Sequence, residues 1–246
     1  LEGDHFVVNG QKIWTSTAAQ ADMIFCLVRT EPDAPKHQGI SYLLFSMDTP
    51  GIEVRPLMTM TGQAEFNEVF FTDVRVPADQ IVGKRGEGWM VANATLTHER
   101  GMLGDPDAAL VRLNSIAEIM QNETVDGSPL MDNAVYRDRL IALQAEVFAM
   151  KFNGMRLTTN ATEKKSGGMA GMIVKLQGCE LNHRLAELAI DVMGEYGILF
   201  EDSPFIRDHG MWQTAYMFDL GLIIGGGSAQ IQKNIISERG LDMPRE

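Results

Sequence analysis

Val76-Pro77-Ala78-Asp79-Gln80-Ile81-Val82-Gly83-Lys84-Arg85-Gly86-Glu87-Gly88 decides how this chain is to be read. Proline, glycine and charge fall together in it, as in a connection between domains, and the hydrophobic period changes across it. Upstream, short apolar runs occur at Phe6-Val7-Val8, Lys12-Ile13-Trp14-Thr15, Met23 to Val28, Ile40 to Phe45 and Glu68 to Val76. Turn chemistry separates them at Pro32 to Pro35 and at Thr49-Pro50-Gly51, and Asn9-Gly10 reads as the turn of a hairpin. Regular short strands of this kind predict an antiparallel barrel or sandwich over residues 1–84.

Downstream the apolar spacing becomes three and four. Trp89 to Arg100, Pro106 to Met120, Asn133 to about Thr159, Gly171 to Met193 and the final run each show it. Asp105-Pro106 is a sharp helix start, Asp132 or Asn133 can cap the next helix, and Thr162 to Gly168 is a polar loop. The expected fold class is therefore α+β: an antiparallel β barrel or sandwich, then an all-α helical bundle over residues 85–246.

Of 246 residues, 45% are hydrophobic and 22% charged, a globular composition with room for one large or two modest domains. A net charge of −12 and the lack of any Lys/Arg run disfavour binding to nucleic acid or an anionic membrane. Cys26 and Cys179 are the two cysteines, without metal-ligand spacing. They argue against a disulfide framework or a metal site and for a reducing, cytoplasmic compartment. No signal segment or membrane-spanning run is visible, and the start at Leu1 suggests a missing beginning.

Near the end, Gly225-Gly226-Gly227-Ser228 precedes a segment with Ile231, Ile235 and Ile236 on one face. Bare backbone N–H groups at a helix start can bind an anion or a carbonyl, although the plain reading of such a run is a tight turn.

Taken together, these pieces resemble the FAD-dependent acyl-CoA dehydrogenases, over nearly the whole chain. The matching segments are Asn9-Gly10-Gln11-Lys12-Ile13-Trp14-Thr15-Ser16 with Ala21-Asp22, Phe66 to Pro77, Gly83 to Trp89, Glu99-Arg100-Gly101, and Gly226 to Arg239 with Leu241 to Arg245. They stand in the family's order. The resemblance implies the middle β domain and the C-terminal helical domain; the N-terminal helical domain and the flavin-contacting segment before Leu1 are expected to be missing through truncation.

What the resemblance implies chemically is removal of a proton α to a thioester carbonyl while hydride leaves the β carbon for flavin, giving a trans-2-enoyl-CoA. Many members carry the base as a Glu at the position of Gly226, which cannot accept a proton. A second subgroup carries it immediately before an Arg on the first helix of the C-terminal domain, where this chain has Glu99-Arg100. Glu99 is thus the expected base, against the plain reading of a solvated helical carboxylate, and Arg100 is expected to hold the polar network near the substrate. His98 reads as structural, since adjacent helical residues point about 100° apart. Trp14, otherwise a core aromatic, is expected to pack by the flavin ring, with Thr15 beside it and the Ser16 hydroxyl at N5. Ser228, Ala229 and Gln230 match further FAD contacts. Gly226 and Gly227 match substrate-binding positions, the backbone N–H of Gly226 being the donor to the thioester oxygen.

Two departures qualify the match. The family's Arg-x-x-Phe-Gly segment is not visible, Gly127 to Arg139 taking its place, and its Gln-x-x-Gly-Gly-x-Gly segment is degraded to Asp191-Val192-Met193-Gly194-Glu195-Tyr196-Gly197. Such losses accompany pairing with a different subunit in some bacterial members. The expected partners are an acyl-CoA, electron transfer flavoprotein and further subunits, in a homo- or hetero-oligomer such as a dimer of dimers. The expected setting is fatty acid beta-oxidation, branched-chain or sterol side-chain breakdown. Two alternatives stay open: a non-catalytic or half-site subunit, and a flavin oxidase or monooxygenase on the same fold.

Overall fold

The computed structural model describes residues 1–165, 167–200 and 202–244, with the side chains of residues 97–103 excepted. The chain divides into two compact units, Leu1–His98 and Glu99–Glu246.

Five strands build the first unit: β1 His5–Ser16, β2 Met23–Arg29, β3 Ile40–Ser46, β4 Ile52–Leu57 and β5 Phe66–Pro77. They form two antiparallel sheets, one ordered β1-β5-β4 and the other β2-β3. Period-two alternation sends Phe6 and Val8, Ile24 and Cys26, Leu43 and Phe45, and Val69 and Phe71 into one shared core. Phe45 meets Phe71 edge to face at 6.1 Å between ring centres, across the two sheets. The expected β domain is therefore a sandwich, with no closed barrel among the described residues.

One local expectation is overturned. Asn9-Gly10 is no hairpin turn; β1 runs straight through it, pairing with β5 from His5↔Pro77 to Ser16↔Phe66 with a register shift between Val8 and Gly10. Asn9 makes the bulge stable, its Oδ1 accepting from the Asp73 amide at 2.8 Å and its Nδ2 donating to the Asp73 carboxylate at 3.0 Å. A side chain that replaces a missing ladder bond lets a turn-prone dipeptide stay inside a strand.

Helix α1, Gly88–Leu103, starts against β3. Glycine is required at that start, since a Cβ on Gly88 would lie 2.4 Å from the Ser41 carbonyl carbon.

The second unit holds α2 Pro106–Asn122, a short β6 Thr124–Val125 and β7 Ser128–Pro129 pair, α3 Ala134–Thr162, α4 Gly168–Met193, α5 Met211–Ile224 and α6 Ala229–Ile235. The Asp105 side chain caps α2 by accepting from the Asp107 amide at 2.9 Å, and Asn133 caps α3 through the amides of Val135 and Tyr136. Helix α4 is the hub, packing on α2, α3, α5 and α6. Its Leu181, Leu185 and Leu188 join Ile116 and Met120 of α2, Val147 of α3 and Trp212 of α5 in one core. Sequence spacing gave no separate sign of α5, whose residues are apolar almost all round and so show no face.

Helix α6 buries a polar residue rather than its first isoleucine. Ile231 stands 51% exposed, while Gln232 is 3% exposed on the inner face. The capping Ser228 and the bond of Gln232 to the preceding turn orient the helix, rather than its isoleucines. No described helix is long and apolar enough to cross a membrane.

Candidate functional site

In the first unit, the sequence-predicted residues Trp14, Thr15 and Ser16 lie together at the end of β1. The β1–β5 register breaks a second time between Lys12 and Thr15. The insertion drives Trp14 to φ 61, a conformation costly for any residue with a side chain and met most often where function over-determines it. Two contacts hold the break. Asn67 of β5, 1% exposed, donates Nδ2 to the Thr15 carbonyl at 3.1 Å. Beyond β1, the Thr17 amide reaches the Glu65 carbonyl at 3.0 Å.

The effect is to turn the indole outward. Trp14 is 59% exposed and leans edge-on against Phe66, with ring centres 5.8 Å apart. Trp14, Thr15, Ser16, Ala21, Phe25 and Met47 line a groove of about 500 Å³. A flat apolar wall with hydroxyls along its rim suits a planar aromatic ligand with polar edge atoms.

In the second unit, Gly226, Gly227, Ser228, Ala229 and Gln230 form the turn from α5 into α6. Gly226 has φ 64 and Gly227 φ 101, so both occupy conformations that favour glycine. Two buried side chains grip the carbonyls of this turn. Lys175 of α4, 2% exposed, donates Nζ to Gly227 O at 2.6 Å and to Ile223 O at 2.9 Å. Gln232 donates Nε2 to Gly226 O at 3.2 Å. In a planar trans peptide the N–H opposes the C=O. Drawing these two carbonyls inward therefore turns the N–H groups of Gly227 and Ser228 outward. The amides of Ala229 and Gln230 belong to the first helical turn, which has no intrahelical acceptors for them.

Glu99 and Arg100 fall on α1; their side chains, like that of His98, lie outside the described residues. Burial pushes both thiols up from their ordinary range, with Lys12 opposing the effect at Cys26 and Lys175 opposing it at Cys179. Neither is poised as a nucleophile. Among the described residues no group of three or more His, Cys, Asp or Glu could hold a metal ion.

Sequence reasoning missed Asn67, Lys175 and Gln232. For Lys175 a signal existed: it stands on α4 three and four residues before Gly178 and Cys179, on the face that the helix buries, where an unpaired cation is not tolerated. The departed segments also take definite form. Gly194–Ile198 is a 3-10 turn tied down by Gln213 Nε2 to Tyr196 O at 3.1 Å and by Arg207 stacked 4.5 Å over the Tyr196 ring.

Comparison with known proteins agrees with this layout. The family described as "Acyl-CoA dehydrogenase, C-terminal domain" matches residues 86–241, and "Acyl-CoA dehydrogenase, middle domain" matches residues 1–74. Acyl-CoA dehydrogenase IpdE1 of Mycobacterium tuberculosis is 40% identical over 248 residues, covering 100% of this chain and 62% of that protein. The chain thus spans about three fifths of the relatives it matches. Among solved structures, a protein titled "Tcur3481-Tcur3483 steroid ACAD" superposes with a TM-score of 0.91 at 26% identity, covering 100% of this chain and 63% of that one. The ChsE4-ChsE5 complex from Mycobacterium tuberculosis gives 0.88 at 31% identity, covering 100% and 64%.

Proposed function

The chain belongs to the acyl-CoA dehydrogenase family, and from that premise we propose that the intact protein removes two hydrogens from the α and β carbons of an acyl-CoA thioester to give a trans-2-enoyl-CoA. The observation that carries the reading is Trp14, held at φ 61 with its indole presented to the groove beside Ser16. Acyl-CoA dehydrogenases are FAD-dependent, and the residues present fit a flavin. The groove offers an aromatic wall and hydroxyls for a ring with a polar edge, and the α6 start offers first-turn amides for further polar contacts. FAD, when bound, supplies the hydride acceptor.

Trp14 and Thr15 would flank the ring and the Ser16 hydroxyl would donate at its N5 edge, while Ser228, Ala229 and Gln230 would hold other polar parts of the cofactor. Glu99 takes the proton from the α carbon. The amide of Gly226 donates to the thioester oxygen, where negative charge grows as that proton leaves. Gly227 leaves room for the thioester, and Arg100 belongs to the polar network around it.

A steroid-derived acyl group is the favoured substrate class, supported by the likeness to the steroid acyl-CoA dehydrogenase structure. Electron transfer flavoprotein is the proposed acceptor. Assembly with further subunits, as a homo- or hetero-oligomer such as a dimer of dimers, is supported by the likeness to the ChsE4-ChsE5 complex. Helix α3 also leaves Ile141, Phe148, Phe152 and Met155 exposed along one stripe. Cys26 and Cys179 are both buried and neither is in a disulfide, in keeping with a cytoplasmic setting.

Glu99→Gln in the FAD-loaded protein tests the assignment. Stopped-flow flavin bleaching by an acyl-CoA should slow by ~10²–10⁴, as for a lost general base, with FAD content unchanged. Gly226→Glu in that background should restore part of the rate. Bleaching of Glu99→Gln at the wild-type rate would return Glu99 to the solvated-helix reading. Rapid reoxidation of the reduced protein by oxygen would favour the oxidase alternative.

A further inference from the structure

The glycine turn is held by more than the backbone bond from the Gly225 amide to the Gly221 carbonyl at 2.8 Å. Its two ends, Ile223 at the close of α5 and Gly227, are bridged by one ammonium group, that of Lys175, and Gly226 between them is gripped by the Gln232 amide. All of these groups come from within the second unit, and the two donors are 2% and 3% exposed. A lysine buried this deeply must lose its hydration, so the carbonyls have to replace it. The last-turn carbonyls of α5 are suited to do so, because they lack helical partners and carry the negative end of the helix dipole.

We infer that Lys175 and Gln232 are positioning residues: by holding the carbonyls of Ile223, Gly226 and Gly227 they restrict the Gly225–Ser228 turn to one conformation, so that the Gly226 amide within it keeps a single orientation before substrate arrives. The inference rests on the thioester-binding role given to Gly226 above. Two glycines in succession at positive φ would otherwise sample many orientations, since glycine enters that region as readily as the other. A donor that must be found among those orientations contributes less to the charged transition state than one set in advance. The clamp thus bears on the chemical step more than on capture of the substrate.

The test uses the intact, FAD-loaded protein and Lys175→Met, which keeps length and apolar bulk but removes the ammonium. Gln232→Met probes the same turn from the other side if Lys175→Met does not fold. Three readouts are used. Hydrogen exchange of peptides covering Gly225–Ser228 should become at least tenfold faster in either variant. Flavin reduction by a saturating acyl-CoA should fall at least tenfold while the half-saturating concentration changes less than threefold. Isotope-edited infrared spectra of a bound, unreactive CoA thioester should show its carbonyl stretch shifted toward the value in water. A folded variant with wild-type exchange or a wild-type reduction rate would overturn the clamp. A wild-type protein that no acyl-CoA reduces would instead overturn the dehydrogenase reading, and the exchange data would still decide whether the clamp exists.

Discussion

Replacing Gly227 with alanine should destabilise the second unit by about 2–4 kcal/mol, and the two parts of that figure come from separate features. The residue sits at φ 101, and holding a side-chain-bearing residue in such a region costs ~1–3 kcal/mol. A Cβ there would also stand 2.6 Å from Gln232 Nε2. That atom is the end of a flexible side chain and can retreat, but it then gives up its bond to Gly226 O, a loss of ~0.5–1.5 kcal/mol. Urea unfolding of the intact chain measures the sum, and thermal unfolding should show a midpoint lowered by about 5–15 °C. Gly221→Ala is the control: a Cβ at that α5 position meets nothing within 4 Å, so relief of helix-interior glycine should stabilise by ~0.5–1 kcal/mol. A Gly227→Ala protein within ~0.5 kcal/mol of wild type, the ordinary scatter of a neutral surface change, would refute the claim that this turn needs glycine.

Ser16→Ala in the FAD-loaded protein should slow single-turnover flavin reduction about fivefold with acyl-CoA affinity little changed, the worth of one hydrogen bond of ~1 kcal/mol; a change in affinity alone would count against its N5 role. Asp219 is fully buried and paired to Arg112 at 2.6 Å, so Asp219→Leu should cost ~3–5 kcal/mol in urea unfolding by stranding the guanidinium, and adding Arg112→Met should recover most of it. The Arg184 hydrogen bonds, followed by its charge, hold the Glu146 carboxyl below the usual carboxylate range. A depressed folded value means stability that is present above the unfolded pKa and lost as pH falls through the folded one. Since both side chains are more than two fifths exposed, Glu146→Gln should cost under ~1 kcal/mol at neutral pH, and the difference from wild type should vanish in acid.

How far the sequence could be read depended on whether a residue's role was local. Asp105-Pro106 and Asn133 act within one turn of themselves, and both caps stand where their sequence positions suggest. The sandwich was legible because short apolar runs with turn residues between them, as at β2, β3 and β5, repeat the same signal several times. Asn9-Gly10 was misread because its behaviour depends on Asp73, far along the chain. The exposure of Ile231 and burial of Gln232 likewise depend on the turn carbonyl that Gln232 meets, which apolar spacing cannot register. At the site, a resemblance could point to Trp14 and the glycine run. The bulge that turns Trp14 outward and the lysine beneath the glycines are tertiary facts, each set by a partner distant in sequence.

Strand β1, the first of the described strands, pairs with β5, the last strand of its unit, along its whole length. During synthesis the β1–β5 pairing cannot form until Phe66–Pro77 has followed His5–Ser16 out of the ribosome, whereas β2 and β3 can close on each other as soon as Ser46 appears. Contacts that join distant stretches slow the search for the native arrangement, and an unpaired strand in waiting is open to the wrong neighbour. The segment that presents Trp14 is thus among the last of its sheet to be sealed, and chaperone demand during synthesis should fall once Pro77 is clear.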